Sequence, residues 1–250
     1  MKKIILFFLV SGYALSGLGQ DQISSGYQPK NVVKFLPVTL PFNSVSFEFE
    51  RMINSKNSVT IQVGLPDRKS IIGKYGINSN SDLKTADFGS TVVRGAYRHY
   101  TGQSGLPKGF YLEPYLKYQQ LKGRATIAGI DDQGDAYSGN SEIKFSTINT
   151  GCQLGYQFLI VKRVSVDFYF LGLEAGMFNG NIVTTPTSYT EYDPIILSAL
   201  RNVIDQNIAK APGFIRTKLS TSQTSSQVIV KAANAVYPWF RGGISVGIAF

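Results

Sequence analysis

The chain holds few residues able to do chemistry. It has one histidine, His99, and one cysteine, Cys152. A lone cysteine permits no internal disulfide and no Cys-based metal site, and a lone histidine removes His-rich metal sites. Any Ser-His-Asp arrangement would hang on His99, and the residue two places later is Thr101 rather than serine. The acids and serines offer neither a phosphate loop nor paired carboxylates at a meaningful spacing. The expectation is a protein without catalytic residues, cofactor or metal.

The charged residues instead form a pattern. Glu48 and Glu50 alternate with Phe47 and Phe49, and Arg94 and Arg98 with Val93, Gly95 and Tyr97. Glu113 and Lys117 stand on the opposite parity to Leu112, Pro114 and Leu116, Asp167 lies between Val166 and Phe168, and Arg241 follows Phe240. A period of two places each charge on one face of a β-strand and its apolar neighbours on the other. Four acids (Glu48, Glu50, Glu113, Asp167) thus face four bases (Arg94, Arg98, Lys117, Arg241), with Gly, Gln, Asn and Tyr filling the remaining polar positions. The alternatives are a solvated sheet face or the lumen of a small barrel, and the sparse charge favours the lumen. Eight strands leave room only for side chains, so a balanced set avoids burying an uncompensated charge.

Eight strands can be placed along the chain. Asn31–Leu40 is the first, with ends made irregular by Pro37 and Pro41. The second centres on Val45–Glu50 and the third on Val59–Gly64, joined by an Asn54–Asn57 turn. A polar connection over 66–87 leads to the fourth, Phe88–Tyr100, and Thr101–Lys108 turns into the fifth, Phe110–Gln119. A polar loop over 123–141 precedes the sixth, Ile148–Phe158. Val161–Arg163 turns into the seventh, Val164–Phe170, where Glu174 falls on the apolar parity and requires a bulge or an exit from the membrane. A loop over 177–236 comes before the closing strand, Trp239–Phe250. Short and long connections alternate, as they do between the two sides of a membrane barrel, except that the first outer connection, Pro41-Phe42-Asn43, is short.

Composition agrees with that architecture. Of 250 residues 43% are hydrophobic, 12% aromatic and 16% charged, and 25 are glycine. The formal charge of +9 fits either anionic lipid headgroups or simply a basic surface, and an exported protein rarely meets nucleic acid. Lys2 and Lys3, the apolar run Ile4–Val10 and Gly17-Leu18-Gly19 read as a signal peptide over 1–19, followed by a polar leader over 20–30 and the barrel over 31–250.

The pattern resembles the OmpA/OmpX-type small outer-membrane barrels and, more closely, Bacteroidota-type outer-membrane barrels of unknown function. The matching stretches are Asn31-Val32-Val33-Lys34, Phe47-Glu48-Phe49-Glu50-Arg51, Gly109–Tyr115, Gly151–Phe158 and Phe250. The resemblance implies an all-β, eight-stranded antiparallel up-and-down transmembrane β-barrel with no established chemistry. It also implies that a closing strand with Phe240, Ile244, Val246, Ile248 and Phe250 on its apolar face is read by the barrel-assembly machinery.

The long loop goes beyond a minimal barrel. Asp193-Pro194 opens a helix, with Ile196, Leu200, Val203, Ile204 and Ile208 at helical spacing until Pro212-Gly213. That partly helical extracellular loop either caps the barrel mouth, lies on the membrane or docks on a protein partner. The expected function is non-enzymatic: a structural or interaction role in the cell outer membrane, with the loop as contact in a larger complex. A soluble lipocalin-like barrel with an apolar interior is the competing class, and a lipid-modifying enzyme resting on His99 a third.

Overall fold

The computed structural model describes residues 28–250 except 68, 71–82, 103, 131–133, 135, 188–193 and 211–212. The expected signal peptide over 1–19 and most of the leader lie outside these residues. The chain is mainly β, a ten-stranded antiparallel sheet whose strands are β1 (Asn31–Phe35), β2 (Ser44–Met52), β3 (Asn57–Pro66), β4 (Lys69–Ser70), β5 (Leu83–Tyr100), β6 (Gly109–Ile130), β7 (Ala136–Ile160), β8 (Val164–Pro186), β9 (Leu219–Gln223) and β10 (Val228–Ala249). Eight of them form a hydrogen-bonded ring in the order β1-β2-β3-β5-β6-β7-β8-β10, closed by β1 pairing with β10. The short β4 and β9 are additions at the rim, on β5 and β10.

Turn chemistry explains one end. Asn54 Oδ1 accepts the backbone N–H groups of Lys56 and Asn57, both at 2.9 Å, which folds the β2–β3 hairpin. Val161 and Lys162, the two central residues of the turn that Arg163 N–H closes onto the Ile160 carbonyl at 3.0 Å, both take positive φ, 49° and 56°, a twist that matches the flanking strands. For a β-branched valine that is a strained choice.

Several boundaries differ from the sequence reading. The first strand ends at Phe35 rather than Leu40, because Pro37–Phe42 coils into a 3₁₀ helix terminated by Asn43 at φ 52°. The loop expected over 123–141 is a paired hairpin, with β6 running to Ile130 and β7 starting at Ala136. The loop expected over 177–236 is shortened from both sides, since β8 continues to Pro186 and β10 begins at Val228. On β6 and β7 small residues (Gly, Ser, Thr, Ala) on both faces hid the extension, and on β8 and β10 apolar residues on both faces, as in Val228-Ile229-Val230, left no clear alternation. The bulge required by Glu174 is present at Phe170–Leu171: Gly155 pairs with Tyr169 and Leu154 with Leu171. Two consecutive outward residues flip the parity, and Glu174 turns inward.

The expected helix forms α1 (Pro194–Ala209) and is followed by a single turn, α2 (Gly213–Arg216). Leu197, Ala199 and Leu200 are buried in a cluster with Tyr137 and Val228, against which Ile127, Ile196, Val203 and Ile204 pack. Tyr137 shares its strand parity with Ser141, Asn149 and Gln153, so α1 lies on the face continuous with the ring's interior.

Candidate functional site

The inward positions of the ring carry a charged cluster. β1 contributes Lys34, β2 Glu48 and Glu50, β5 Arg94 and Arg98, β6 Glu113 and β8 Asp167, all buried. Lys34 Nζ lies 3.2 Å from Glu48 Oε1, 2.7 Å from Glu50 Oε2 and 2.9 Å from Asp167 Oδ2, and donates to Gln157 Oε1 at 2.8 Å. Arg94 bridges Glu48 and, at 2.6 Å, Glu113. Arg98 donates from Nε to Glu113 and from Nη1 to Asp167 Oδ2 at 2.9 Å, with its guanidinium 3.8 Å from the centre of the Tyr111 ring.

Neutral donors complete the set. Tyr100 Oη donates to Glu50 at 2.6 Å, Ser58 Oγ to Glu50 at 2.7 Å and Tyr111 Oη to Asp167 at 2.7 Å. Gln153 Nε2 donates to Glu113 at 3.0 Å. Each carboxylate meets at least two cationic groups and most take a further neutral donor, the condition under which ion pairs tolerate burial. Chemically this is a cross-link that ties β1, β2, β5, β6 and β8 together inside the ring.

The structure thus gathers six of the eight sequence-predicted charges (Glu48, Glu50, Arg94, Arg98, Glu113, Asp167) and separates the other two. Lys117 Nζ pairs with Glu174 Oε1 at 2.6 Å, and Glu174 also accepts from Tyr115 Oη at 2.9 Å and from Asn149. Arg241 donates to Gln62 Oε1 at 3.1 Å and lies 5.0 Å from the centre of the Tyr169 ring and 5.5 Å from that of Tyr115. No carboxylate among the described residues forms an ion pair with Arg241. Lys34 carries no signal in the sequence, because Val32 and Val33 make both faces of β1 apolar. Glu174 stands out by parity, but only the bulge puts it inside. With both, five inward bases meet five inward acids among the described residues.

Above the charged cluster the interior opens into a cavity of about 630 Å³. Its floor carries Lys117, Glu174, Arg241 and Gln62, and beyond a band of Ser90, Gln119 and Thr147 its upper wall is apolar, with Leu121, Phe145 and Phe178. One side is different. β10 pairs with β1 only over Val246–Ala249 and with β9 only over Val228–Ala232. Between Asn234 and Ser245 that edge of β10 has no strand partner among the described residues. Pro238, which lacks an N–H, sits within this stretch, where an edge tolerates it. The cavity reaches the open edge between Val38, Thr39 and Phe42 of the 3₁₀ helix and Trp239, Phe240 and Gly242 of β10.

The other predicted residues fall as follows. Phe240, Val246, Ile248 and Phe250 are exposed on the outer face, with Ile244 half-buried. Leu200 is buried beneath α1, while Ile196, Val203, Ile204 and Ile208 are half-buried on it. His99 is exposed at the end of β5, its Nδ1 2.6 Å from Asn57 Oδ1. Comparison with protein-family models, curated proteins and solved structures finds no match for this chain.

Proposed function

We propose that the chain is a small outer-membrane β-barrel protein, spanning the bilayer with its eight-stranded ring and acting without catalysis as a structural or interaction component of the cell envelope. The observation that carries this reading is the distribution of polarity across the ring. Phe47, Phe49, Ile61, Val63, Phe110 and Leu116 are among many large apolar side chains exposed on the outside, while the charges lie within. In water such a surface would be an aggregation hazard, whereas in lipid it is the required face. A closed ring also leaves no unpaired backbone in contact with hydrocarbon where it is complete.

The same observation speaks against a soluble lipocalin-like barrel, whose apolar face would point inward. On the membrane reading, His99 is one of the amphipathic rings at the bilayer interface, with the exposed Tyr97, whereas Tyr100 points inward to Glu50. Outer-membrane lipid and the barrel-assembly machinery are the partners this reading implies, the latter through the Phe240–Phe250 face.

Recovery of the protein in carbonate-washed membranes, with a folded form that migrates differently on gels before and after boiling, is the expected outcome. Recovery in a carbonate-soluble periplasmic fraction would overturn it. For the loop, deletion of Asp193–Pro212 is expected to leave heat-modifiable folding intact and to weaken capture of an envelope partner. Loss of folding would assign α1 to a purely structural cap. Much of the apolar stripe of α1 already packs on Tyr137 and Val228, so contact falls to Ile208 and the outer, polar side of the helix.

A further inference from the structure

We infer that the cavity above the charged cluster is a binding site for an anionic amphiphile with a single alkyl chain, admitted sideways through the open edge of β10. The inference rests on the membrane reading, since the side entrance then faces lipid.

Three features converge on this ligand. The first is size and shape: about 630 Å³ lies within the range of small-molecule sites, and the space communicates with the outside of the ring through a wall of side chains rather than a paired strand. The second is the entrance. Phe42, Trp239 and Phe240 line it and are 67%, 57% and 73% exposed, an apolar frame where a hydrocarbon chain can pass. The third is charge. The acids outnumber the bases in the deep cluster, where Glu48, Glu50, Glu113 and Asp167 meet Lys34, Arg94 and Arg98. The opposite holds at the cavity floor, where Lys117 and Arg241 meet Glu174 alone.

Glu174 is already held by Lys117, Tyr115 and Asn149. The positive charge left on the floor therefore resides on Arg241, whose fork of N–H donors suits a carboxylate or phosphate head. The head would sit against Arg241, and the chain would lie along Leu121, Phe145 and Phe178 or extend out between Phe42 and Phe240. Polar floor and apolar wall are arranged in the order an amphiphile requires.

The chain provides its own reporter, since Trp239 at the entrance is its only tryptophan. The mature protein is reconstituted in phosphatidylcholine vesicles at alkaline pH, and Trp239 fluorescence is followed as a brominated eighteen-carbon fatty acid or the matching brominated alcohol is added. The fatty acid is expected to quench along a saturable curve and the alcohol along a shallow line without saturation. Arg241→Gln is expected to raise the half-saturating concentration by about tenfold or more, the scale of one charge-assisted contact, while Arg241→Lys, which keeps the charge but loses the fork, falls between the two.

Equal quenching by acid and alcohol, or an unchanged curve for Arg241→Gln, would overturn the inference, because Trp239 would then merely touch bulk lipid. Reversal of quenching by inorganic phosphate alone would assign the site to free anions and would also overturn it. Should Arg241→Gln fail to show heat-modifiable migration, the acid-against-alcohol comparison on the native chain still decides. Failure of the membrane reading is seen separately, in the carbonate wash.

Discussion

The lower and upper parts of the sheet reverse each other's polarity, although the same strands run through both. In the lower part the outer face carries Ile61, Leu112, Leu116 and Ile148, and the inner face carries the charged cluster. Higher on β6 and β7 the outer face carries Lys122, Arg124, Asn140, Glu142 and Lys144, and the inner face carries Ala125, Ile127, Tyr137 and the buried side of α1. Strand pairing continues across the change without a register shift on β6–β7. On the membrane reading proposed above, what changes is the solvent each face is built for. The lower part is built inside out, as a lipid-embedded sheet would be, and the upper part is built as an ordinary water-soluble fold with an apolar core.

Four substitutions test that contrast, taken from the largest expected effect to the smallest. Arg98→Met removes the cation shared by Glu50, Glu113 and Asp167, leaving buried acids short of a partner at a cost of about 3–5 kcal/mol. Urea unfolding in vesicles measures it, and a loss below about 1 kcal/mol would deny the cluster its central place in the lower part.

Ile61→Lys places a charge on the outer face in mid-strand. On a lipid-facing surface this costs about 2–4 kcal/mol near the midplane, whereas a water-facing surface would hardly register it. Leu200→Ala opens a void under α1 worth about 2–3 kcal/mol, felt locally. Trypsin is expected to cut faster at Lys210 and Arg216 while the ring keeps its heat-modifiable migration. Lys122→Ile, on the outer face of the upper part, is expected to change stability by less than about 0.5 kcal/mol and to lower solubility instead.

The lower part was largely legible in the sequence, and the upper part was not. Alternation is strongest where the two faces meet different media, so Glu48, Arg94, Glu113 and Asp167 declared their side. In the upper part Gly, Ser, Thr and Ala occur on both faces of β6 and β7, so the paired strands over 123–130 and 136–141 carry the signature of a polar loop. Helical spacing revealed α1, but nothing local says which surface a helix will cover. Arg241 has the right parity, yet its separation from the acids depends on how far β10 rises past the end of β1, a property of the closed ring and not of either strand. The side entrance was hidden for the same reason, its origin being the early turn at Pro37 that stops β1 at Phe35.

That short first strand has a mechanical consequence. The ring is shut by four residue pairs, from Val32–Ala249 to Phe35–Val246, and by two backbone hydrogen bonds between Asn31 and Phe250 at 2.8 and 2.9 Å. Every other joint around the circumference is longer, which makes this one a clasp. Lys34 is its rivet, anchored from the clasp strand to Glu48 and Glu50 on one side and to Asp167 across the interior. A pulling force applied to the two chain ends would load the clasp before any other seam. Lys34 would resist that opening beside the backbone pairs, because its contact with Asp167 spans from β1 to β8 behind the closing strand.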